Sequence, residues 1–242
     1  LSLSGIAGKD LYNNFDKIKL LSDSVLPKVR SNIKEYLQKG NDNLVRLQLD
    51  YMFKAAEDLY VRTSAGIFEE MFGGIGAEIL YRPFDSRLAI GLDVNRIHQR
   101  TFEQRLKFQD YKVTTGFLSF YYNIPYKDLL GVVSAGTYLA GDRGVTLDLS
   151  RRFDSGVRVG AWATRTTVPF NKFGEGSFDK GFYFVIPFEL FFTNSTTSSG
   201  VFGFRPLFRD GGQRLLMANR LIEITGGASY GEVIRDWPQF FK

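Results

Sequence analysis

The sequence contains no cysteine and a single histidine, His98. The absence of cysteine excludes disulfides, thiolate metal sites and cysteine nucleophiles. Because zinc needs three or four suitable ligands, one histidine without cysteine also argues against a zinc site. The glycines of Gly73–Gly76 resemble part of a dinucleotide-binding loop, but no helical pattern follows them, so we interpret them as turn glycines. We therefore predict no metal site, no cofactor and no catalytic residues.

Long apolar runs are also missing from the sequence. No segment approaches the roughly 18 apolar residues that a membrane-spanning helix requires, which excludes a helical membrane bundle. A transmembrane β-barrel is not excluded, because its strands are apolar only at alternate positions. The length of 242 residues suits one large domain. No signal peptide is visible at Leu1, so we expect a mature fragment or the C-terminal portion of a longer precursor.

Clusters of one charge are absent too. Lysine and arginine number 31 against 26 aspartate and glutamate, a formal net charge of +5, and the two signs are interleaved along the chain. Dispersed charge of both signs is typical of a solvated face or a polar interior. We therefore predict no nucleic-acid partner.

Aromatic residues and glycine are abundant, with 23 Phe, 12 Tyr and 25 Gly. The clearest pattern lies in Phe182–Phe192, where every second residue is Phe, Ile or Leu. A strand directs alternate side chains to opposite faces, so this segment predicts a strand with one continuous apolar face. Its length suits a tilted strand that crosses a bilayer.

The same alternation recurs along the chain and predicts about a dozen strands. They are Leu1–Tyr12, Leu44–Phe53, a strand from Leu59 through Ile67, Ile75–Arg82, Leu88–Asn95, Tyr111–Asn123, Leu129–Gly141, Val145–Arg152, Val157–Thr164, Phe182–Phe192, Phe202–Phe208 and Leu215–Ile224. We predict an all-β fold, an antiparallel transmembrane β-barrel of about 12 strands over residues 1–227, followed by a tail over residues 228–242. An even count returns the last strand to the first and leaves no open edge.

The connections between these strands alternate in length. Short links at Lys54–Asp58, Phe84–Ser86, Pro125–Asp128 and Phe153–Gly156 alternate with longer ones, which are Asn14–Asn43, His98–Asp110 and Pro169–Lys180. Short turns on one rim and longer loops on the other are typical of outer-membrane barrels. Within the first long loop, apolar residues at helical spacing in Leu26–Gln38 indicate a short helix or a folded loop that caps the barrel mouth.

Charged residues at the polar positions of the strands form one set. Because a charge facing lipid near the midplane costs about 2–4 kcal/mol, we predict that they face the barrel interior. The set is Arg46, Asp50, Arg62, Glu78, Arg82, Asp93, Asp148, Arg152, Arg158, Glu189 and Arg205. They could form a salt-bridged network that fills a narrow lumen, or a polar path for a hydrophilic polymer. We expect Glu189 to pair with one of the arginines.

Five segments carry a resemblance beyond alternation. They are Leu26–Tyr36, Gly74–Phe84, Tyr138–Phe153, Phe173–Tyr183 and Pro206–Leu215. Together they resemble the YjbH family, which includes GfcD, and the likeness corresponds to the C-terminal part of longer family members. The resemblance implies an outer-membrane protein linked to exopolysaccharide and group 4 capsule operons.

This resemblance implies partners and candidate loops as well. The expected partners are outer-membrane lipid, a polysaccharide, a polysaccharide export protein with other envelope secretion subunits, and an N-terminal portion of the longer protein. In the loops that share the likeness, Arg143 and Asp179 are candidates for contact with the polymer. The resemblance supplies no catalytic residues.

The sequence is compatible with three functions. The first is a channel or structural partner for polymer export in the bacterial outer membrane. The second is a barrel enzyme that modifies glycan or lipid, with His98 beside a serine and an acid at one rim. The third is a plugged structural half of a two-barrel assembly.

Overall fold

The computed structural model describes residues 1–19, 24–169, 178–192, 199–205 and 210–226. They form one antiparallel sheet of eleven strands, in which each strand pairs with the next along the chain. The strands are β1 (Ser2–Lys9), β2 (Asp42–Ala56), β3 (Leu59–Ile67), β4 (Phe72–Tyr81), β5 (Leu88–Arg100), β6 (Phe108–Ile124), β7 (Leu129–Thr137), β8 (Arg143–Arg152), β9 (Arg158–Thr166), β10 (Asp179–Pro187) and β11 (Ser199–Phe204). The predicted all-β antiparallel fold is confirmed.

Closure into a barrel and a count of about twelve strands remain predictions. In the described part of the chain, β1 pairs with β2 alone and β11 pairs with β10 alone. The predicted strand Leu215–Ile224 is wrong. Residues 215–220 form no helix or strand, and a short helix follows at Leu221–Ile224. Its three consecutive apolar residues Leu215–Met217, followed by Asn219 and Arg220, cannot keep one strand face apolar.

The two faces of the sheet differ in chemistry. Along β8, Val145, Leu147 and Leu149 are exposed on one face, whereas Thr146 and Ser150 are buried on the other. The same alternation runs through β2 to β6 and through β10. We call the apolar, exposed face the outer face and the polar, buried face the inner face.

The strand connections lie on two rims. The turn rim carries 57–58, 82–87, 125–128 and 153–157, and the loop rim carries 10–41, 68–71, 101–107 and 138–142. The longest described link, 10–41, includes a 3-10 helix at Phe15–Lys17 and the helix α1 at Ile33–Lys39, which begins six residues after Pro27. Tyr36 of α1 is fully buried and its hydroxyl donates to the Arg100 carbonyl at 2.6 Å.

Two details of the predicted strands need correction. β10 ends at Pro187, which has no N–H for the sheet ladder, and a 3-10 helix follows at Phe188–Leu190. Glu189 therefore lies exposed in this helix and does not face the interior from a strand. His98 was expected in a loop but lies within β5, because that strand extends to Arg100.

Some predictions fall on residues outside the described ranges. They are the predicted tail 228–242, most of the loop Pro169–Lys180 and part of the segment Pro206–Leu215. Among the helices in the part of the chain that is described, none is both long enough and apolar enough to cross a bilayer.

Candidate functional site

Residues 210–226, which we call the inner segment, lie against the inner face of the sheet. Asn219 donates to the Ser4 hydroxyl of β1, and Arg214 lies 3.6 Å from Asp93 of β5. Gly212 packs against β9 and β10, where a Cβ added to it would meet Thr164 at 2.9 Å and Asp179 at 3.3 Å. One short segment contacts strands from β1 to β10, so the sheet must curve around it.

The loop-rim end of the inner segment is held by Asp210. One carboxylate oxygen accepts hydrogen bonds from the backbone N–H groups of Val29, Arg30 and Ser31 at 2.8–2.9 Å. The other oxygen accepts from the Ser31 hydroxyl at 2.7 Å. Arg30 in turn donates to the Arg214 carbonyl and forms a bidentate pair with Glu69 at 2.7 and 2.9 Å. These bonds connect the inner segment to the loop that precedes α1.

A buried charge cluster anchors the middle of the inner segment. Arg62 lies 2.8 Å from Glu78 and 3.8 Å from Asp50, and all three side chains are nearly inaccessible to solvent. Arg62 also donates to the carbonyls of Ala218 and Asn219. Asn219 donates to Asp50 at 2.9 Å. Buried charges are tolerated only when they are paired and hydrogen-bonded, and this cluster meets that condition through the inner segment.

The Gln48 side chain pairs with the inner segment as a strand would. Its amide nitrogen donates to the Ala218 carbonyl at 3.0 Å, and its amide oxygen accepts from the Ala218 N–H at 3.2 Å. Further along, the Leu221 N–H donates to the Glu78 carboxylate, and Arg82 donates to the carbonyls of Ile222 and Gly226. Side chains of the sheet thus satisfy backbone groups that would otherwise be buried without partners.

A cavity of about 540 Å³ lies between the inner segment and the inner face of β6–β10. Its volume is in the range of small-molecule sites. Its lining includes three carboxylates, Asp148, Asp179 and Glu223, and a larger set of arginines. These are Arg30, Arg82, Arg87, Arg152, Arg158, Arg205, Arg214 and Arg220. The cavity therefore carries a marked excess of positive charge.

Several of these arginines already have carboxylate partners. Arg205 lies 3.1 Å from Asp179, Arg214 lies 3.6 Å from Asp93, and Arg30 pairs with Glu69. Arg152 and Arg158 face each other directly across the β8–β9 ladder at the turn rim.

Two aromatic rings, those of Trp162 and Tyr183, line the part of the cavity wall that β9 and β10 form. Trp162 lies opposite Gly181 across the β9–β10 ladder, and Tyr183 lies opposite Gly160. A Cβ built on either glycine would fall 2.3–2.6 Å from the facing ring, so each ring lies over its glycine against the sheet. Trp162 donates to Asp179 at 2.9 Å, and Tyr183 donates to Asp148 at 3.0 Å. The rings are thereby fixed as part of the cavity wall.

The loop-rim end of the cavity is closed by Gly212 and Gln213. The Gly212 N–H donates to Asp142 at 2.8 Å, and the Gln213 carbonyl accepts from the Leu139 N–H at 2.9 Å. Burial raises the pKa of Asp142, and the hydrogen bond from Gly212 opposes this shift. Asp142 thus couples the 138–142 loop to the inner segment.

The residues predicted from sequence fall into four groups. Asp50, Arg62, Glu78, Arg82 and Asp93 contact the inner segment, and Asp148, Arg152, Arg158, Arg205 and Asp179 line the cavity. Arg46 donates to the Phe68 carbonyl at 2.8 Å. The remaining two are exposed, Arg143 at the start of β8 and Glu189 beyond the end of β10.

Residues of the inner segment were missed because alternation suggested a strand there. Arg214, Asn219 and Arg220 interrupt that alternation, and this interruption was the available signal. Trp162 and Tyr183 were missed because an aromatic residue on the polar face resembles an ordinary strand residue. The pairing of each ring with a glycine depends on register, which strand prediction does not supply.

The histidine lies away from this site. His98 is on the outer face of β5, where its ring packs edge-on against Phe108 with centroids 5.8 Å apart. Within the described ranges, the carboxylates and the histidine form no group of three or more that could hold a metal ion.

Comparison with known proteins places the chain in a family. The model of the family described as "exopolysaccharide biosynthesis protein YbjH", with the short name YjbH, matches residues 1–226. The chain belongs to this family. It is also 43% identical over 237 residues to a protein of Escherichia coli strain K12 named "uncharacterized lipoprotein YjbH".

That alignment covers 95% of this chain and 34% of the relative, so the chain spans about a third of the curated YjbH protein that it matches. No solved structure matches the chain. The matched region of the YjbH family includes the whole inner segment and every described strand.

Proposed function

We propose that this chain forms a transmembrane β-barrel in the bacterial outer membrane and acts in exopolysaccharide or capsule secretion. Within that system the interior of the barrel is plugged, and the protein serves as a structural and binding partner for polymer export. The supporting observation is the outer face, where apolar side chains stand exposed on consecutive strands. Soluble monomers rarely expose such a large continuous apolar surface.

The height of the apolar band supports a membrane location. At about 3.4 Å per residue, Val45–Phe53 of β2 extends roughly 27 Å, and a tilt of about 40° reduces its height to roughly 21 Å. This approaches the apolar band of known outer-membrane barrels, which is about 25 Å tall. On β8, Arg143 and Arg151 lie at the two ends of the apolar run Val145, Leu147 and Leu149, where charge costs least.

Aromatic side chains collect on the outer face at the turn rim. They are exposed near the ends of β2, β4, β6 and β8, and they comprise Tyr51, Phe53, Tyr81, Phe84, Phe120, Tyr122, Tyr126 and Phe153. Aromatic girdles at both interfaces are typical of transmembrane barrels, because these rings suit the headgroup region. The turn rim therefore supplies one such girdle.

The inner segment favours a plugged barrel over a wide pore. Most of its hydrogen bonds and charge pairs with the inner face involve β1–β5. The cavity beside β6–β10 remains as a polar pocket. Family membership supports the exopolysaccharide pathway, and a polysaccharide export protein with other envelope subunits fits as the partner.

A charged substitution on the outer face tests membrane insertion. Leu147 is 55% exposed at the centre of the apolar run of β8, so Leu147→Arg should impair insertion, at a cost of about 2–4 kcal/mol. The matched control is Asp154→Arg in the exposed turn that follows β8. Resistance to carbonate extraction and heat-modifiable migration in gels report insertion. Equal behaviour of the two variants, with protein soluble without detergent, would overturn the proposal.

Electrical recording separates a plugged barrel from an open channel. In planar bilayers we expect the purified protein to show no sustained conductance, because the inner segment fills part of the interior. A large and stable conductance in the wild-type protein would favour an open polymer channel instead.

A further inference from the structure

We infer that the outer face of β8–β10 binds a phosphorylated glycolipid, of the lipid A class, through three cations at the loop rim. These are Arg143, Arg165 and Lys180, which we call the basic row. This inference rests on the proposed function, because it requires that the outer face meets lipid. The charge of the row, the apolar surface beside it and the rim on which it lies identify the lipid.

The register of the sheet brings the three cations of the basic row next to one another. Arg143 is the first residue of β8, and Arg165 of β9 lies opposite Val145, two residues further along β8. Lys180 of β10 lies opposite Ala163, two residues before Arg165. Diagonal neighbours of this kind are about 7–8 Å apart, so long side chains on adjacent strands can reach one ligand. All three residues are exposed on the outer face.

The basic row carries positive charge on a face without carboxylates. Among the described outer-face residues of β7–β10, none is Asp or Glu. The salt bridges within the described ranges do not involve the row, and Lys180 lies over the Phe178 ring, 4.4 Å from its centroid. Guanidinium and ammonium groups bind phosphate through charge-assisted hydrogen bonds, so the row is suited to a phosphorylated group.

The apolar surface of the outer face begins directly beside the basic row. Val145 follows Arg143 on the same face of β8, Phe182 follows Lys180 on β10, and both apolar side chains are exposed. A phosphorylated lipid has the same order of chemistry, with an anionic headgroup next to acyl chains. Inorganic phosphate has no part that would contact the apolar surface. The row and the surface together therefore fit a lipid.

The turn rim is more evenly charged than the loop-rim end of β8–β10. At the turn rim, exposed carboxylates accompany the cations, and they are Glu57, Asp85, Asp128 and Asp154. In outer-membrane barrels the short turns are periplasmic and the longer loops are extracellular. The basic row then meets the outer leaflet, whose characteristic lipids carry phosphates on a sugar headgroup.

The experiment measures lipid binding to the protein purified from membranes in detergent, by native mass spectrometry. The probes are bis-phosphorylated lipid A, the same lipid without its phosphates, and inorganic phosphate as a competitor. We expect the phosphorylated lipid to bind roughly tenfold or more tightly than the dephosphorylated one. Its affinity should fall as ionic strength rises, because exposed charges are screened by salt. Inorganic phosphate at the concentration of the lipid should displace little of it.

The decisive variant combines Arg143→Gln, Arg165→Gln and Lys180→Gln. It should weaken binding of the phosphorylated lipid by roughly ten- to hundredfold, because each cation near an anionic membrane surface strengthens association by about fivefold. Binding of the dephosphorylated lipid should stay at the wild-type level. Because the three side chains are exposed, the variant should fold and insert like the wild type.

The matched control combines Lys54→Gln, Lys127→Gln and Arg151→Gln. These three cations are exposed at the turn rim. The control removes the same charge from the protein as the decisive variant does, so it should keep wild-type affinity for the phosphorylated lipid.

Four results would overturn the inference. These are equal binding of the two lipids, equal loss in the control variant, displacement of the lipid by inorganic phosphate at matched concentration, and no binding of phosphorylated lipid A by correctly inserted protein. Displacement by phosphate would indicate a site for a free anion. Insertion is scored separately by carbonate extraction, so failure of this inference is distinguishable from failure of the proposed function.

Discussion

Gly212 is the residue on which the closed end of the cavity depends most directly. Its φ of +72° is in the left-handed region, and an added Cβ would lie 2.9 Å from the Thr164 side chain. Gly212→Ala should therefore lower the free energy of unfolding by about 1–3 kcal/mol, measured by thermal denaturation in detergent. Gly141→Ala is the control, because Gly141 has a φ of +82° but a Cβ added to it would meet no atom within 4 Å. Equal losses would show that contact with Thr164 is unimportant.

Asp142 gives a prediction about pH at the same end of the cavity. Burial raises the pKa of this carboxyl in the folded protein, so the folded state holds the proton more tightly than the unfolded state. Wild-type stability should then fall as pH rises from the ordinary aspartate pKa through the raised value. Asparagine does not titrate, and its amide oxygen can still accept from the Gly212 N–H.

Asp142→Asn should thus match the wild type near pH 3 and be more stable near pH 7, measured as unfolding midpoints in detergent. Asp154→Asn, in the exposed turn after β8, is the control for loss of one negative charge. A difference in stability between Asp142→Asn and the wild type that is constant across this pH range would contradict a raised pKa of Asp142.

At the scale of the element, the middle of the inner segment is anchored by the buried Arg62. Arg62→Met would leave Asp50 and Glu78 without their cation and would remove donors to the Ala218 and Asn219 carbonyls. We expect a loss of about 3–5 kcal/mol and faster proteolysis within residues 210–226. Arg62→Met combined with Glu78→Gln should recover part of that stability, since one uncompensated charge is removed. Arg96→Met, on the exposed outer face of β5, should cost little.

Strand prediction succeeded where one face of a strand meets a uniform environment. Leu59–Ile67 and Leu129 at the start of β7 match the structure because turn residues border alternating segments. The method failed where a second element contacts the sheet. The inner segment is irregular because its backbone bonds to side chains such as Gln48 and Glu78, and no local pattern encodes partners so distant in sequence. The cavity depends on the same long-range contacts.

The topology of the whole molecule limits how the sheet can close. In the described part of the chain, all ten pairings are antiparallel and join consecutive strands, so the odd-numbered strands run in the same direction. If β1 and β11 meet, they must therefore pair in parallel, and such odd-stranded closure occurs in the 19-stranded mitochondrial barrel. Our proposal of a barrel predicts this contact unless a further strand is inserted between them.

Cysteine pairs can test this closure without background, because the chain contains no cysteine. Gly5→Cys in β1 would be combined in turn with Val201→Cys, Phe202→Cys and Gly203→Cys in β11. Disulfides need Cα atoms about 4.4–6.8 Å apart, so at least one pair should form in membranes if the strands are neighbours. Gly5→Cys with Val133→Cys, on β7, is the control that should remain reduced. Absence of a bond in all three pairs would place another strand at this seam, and closure would then involve more than the eleven strands.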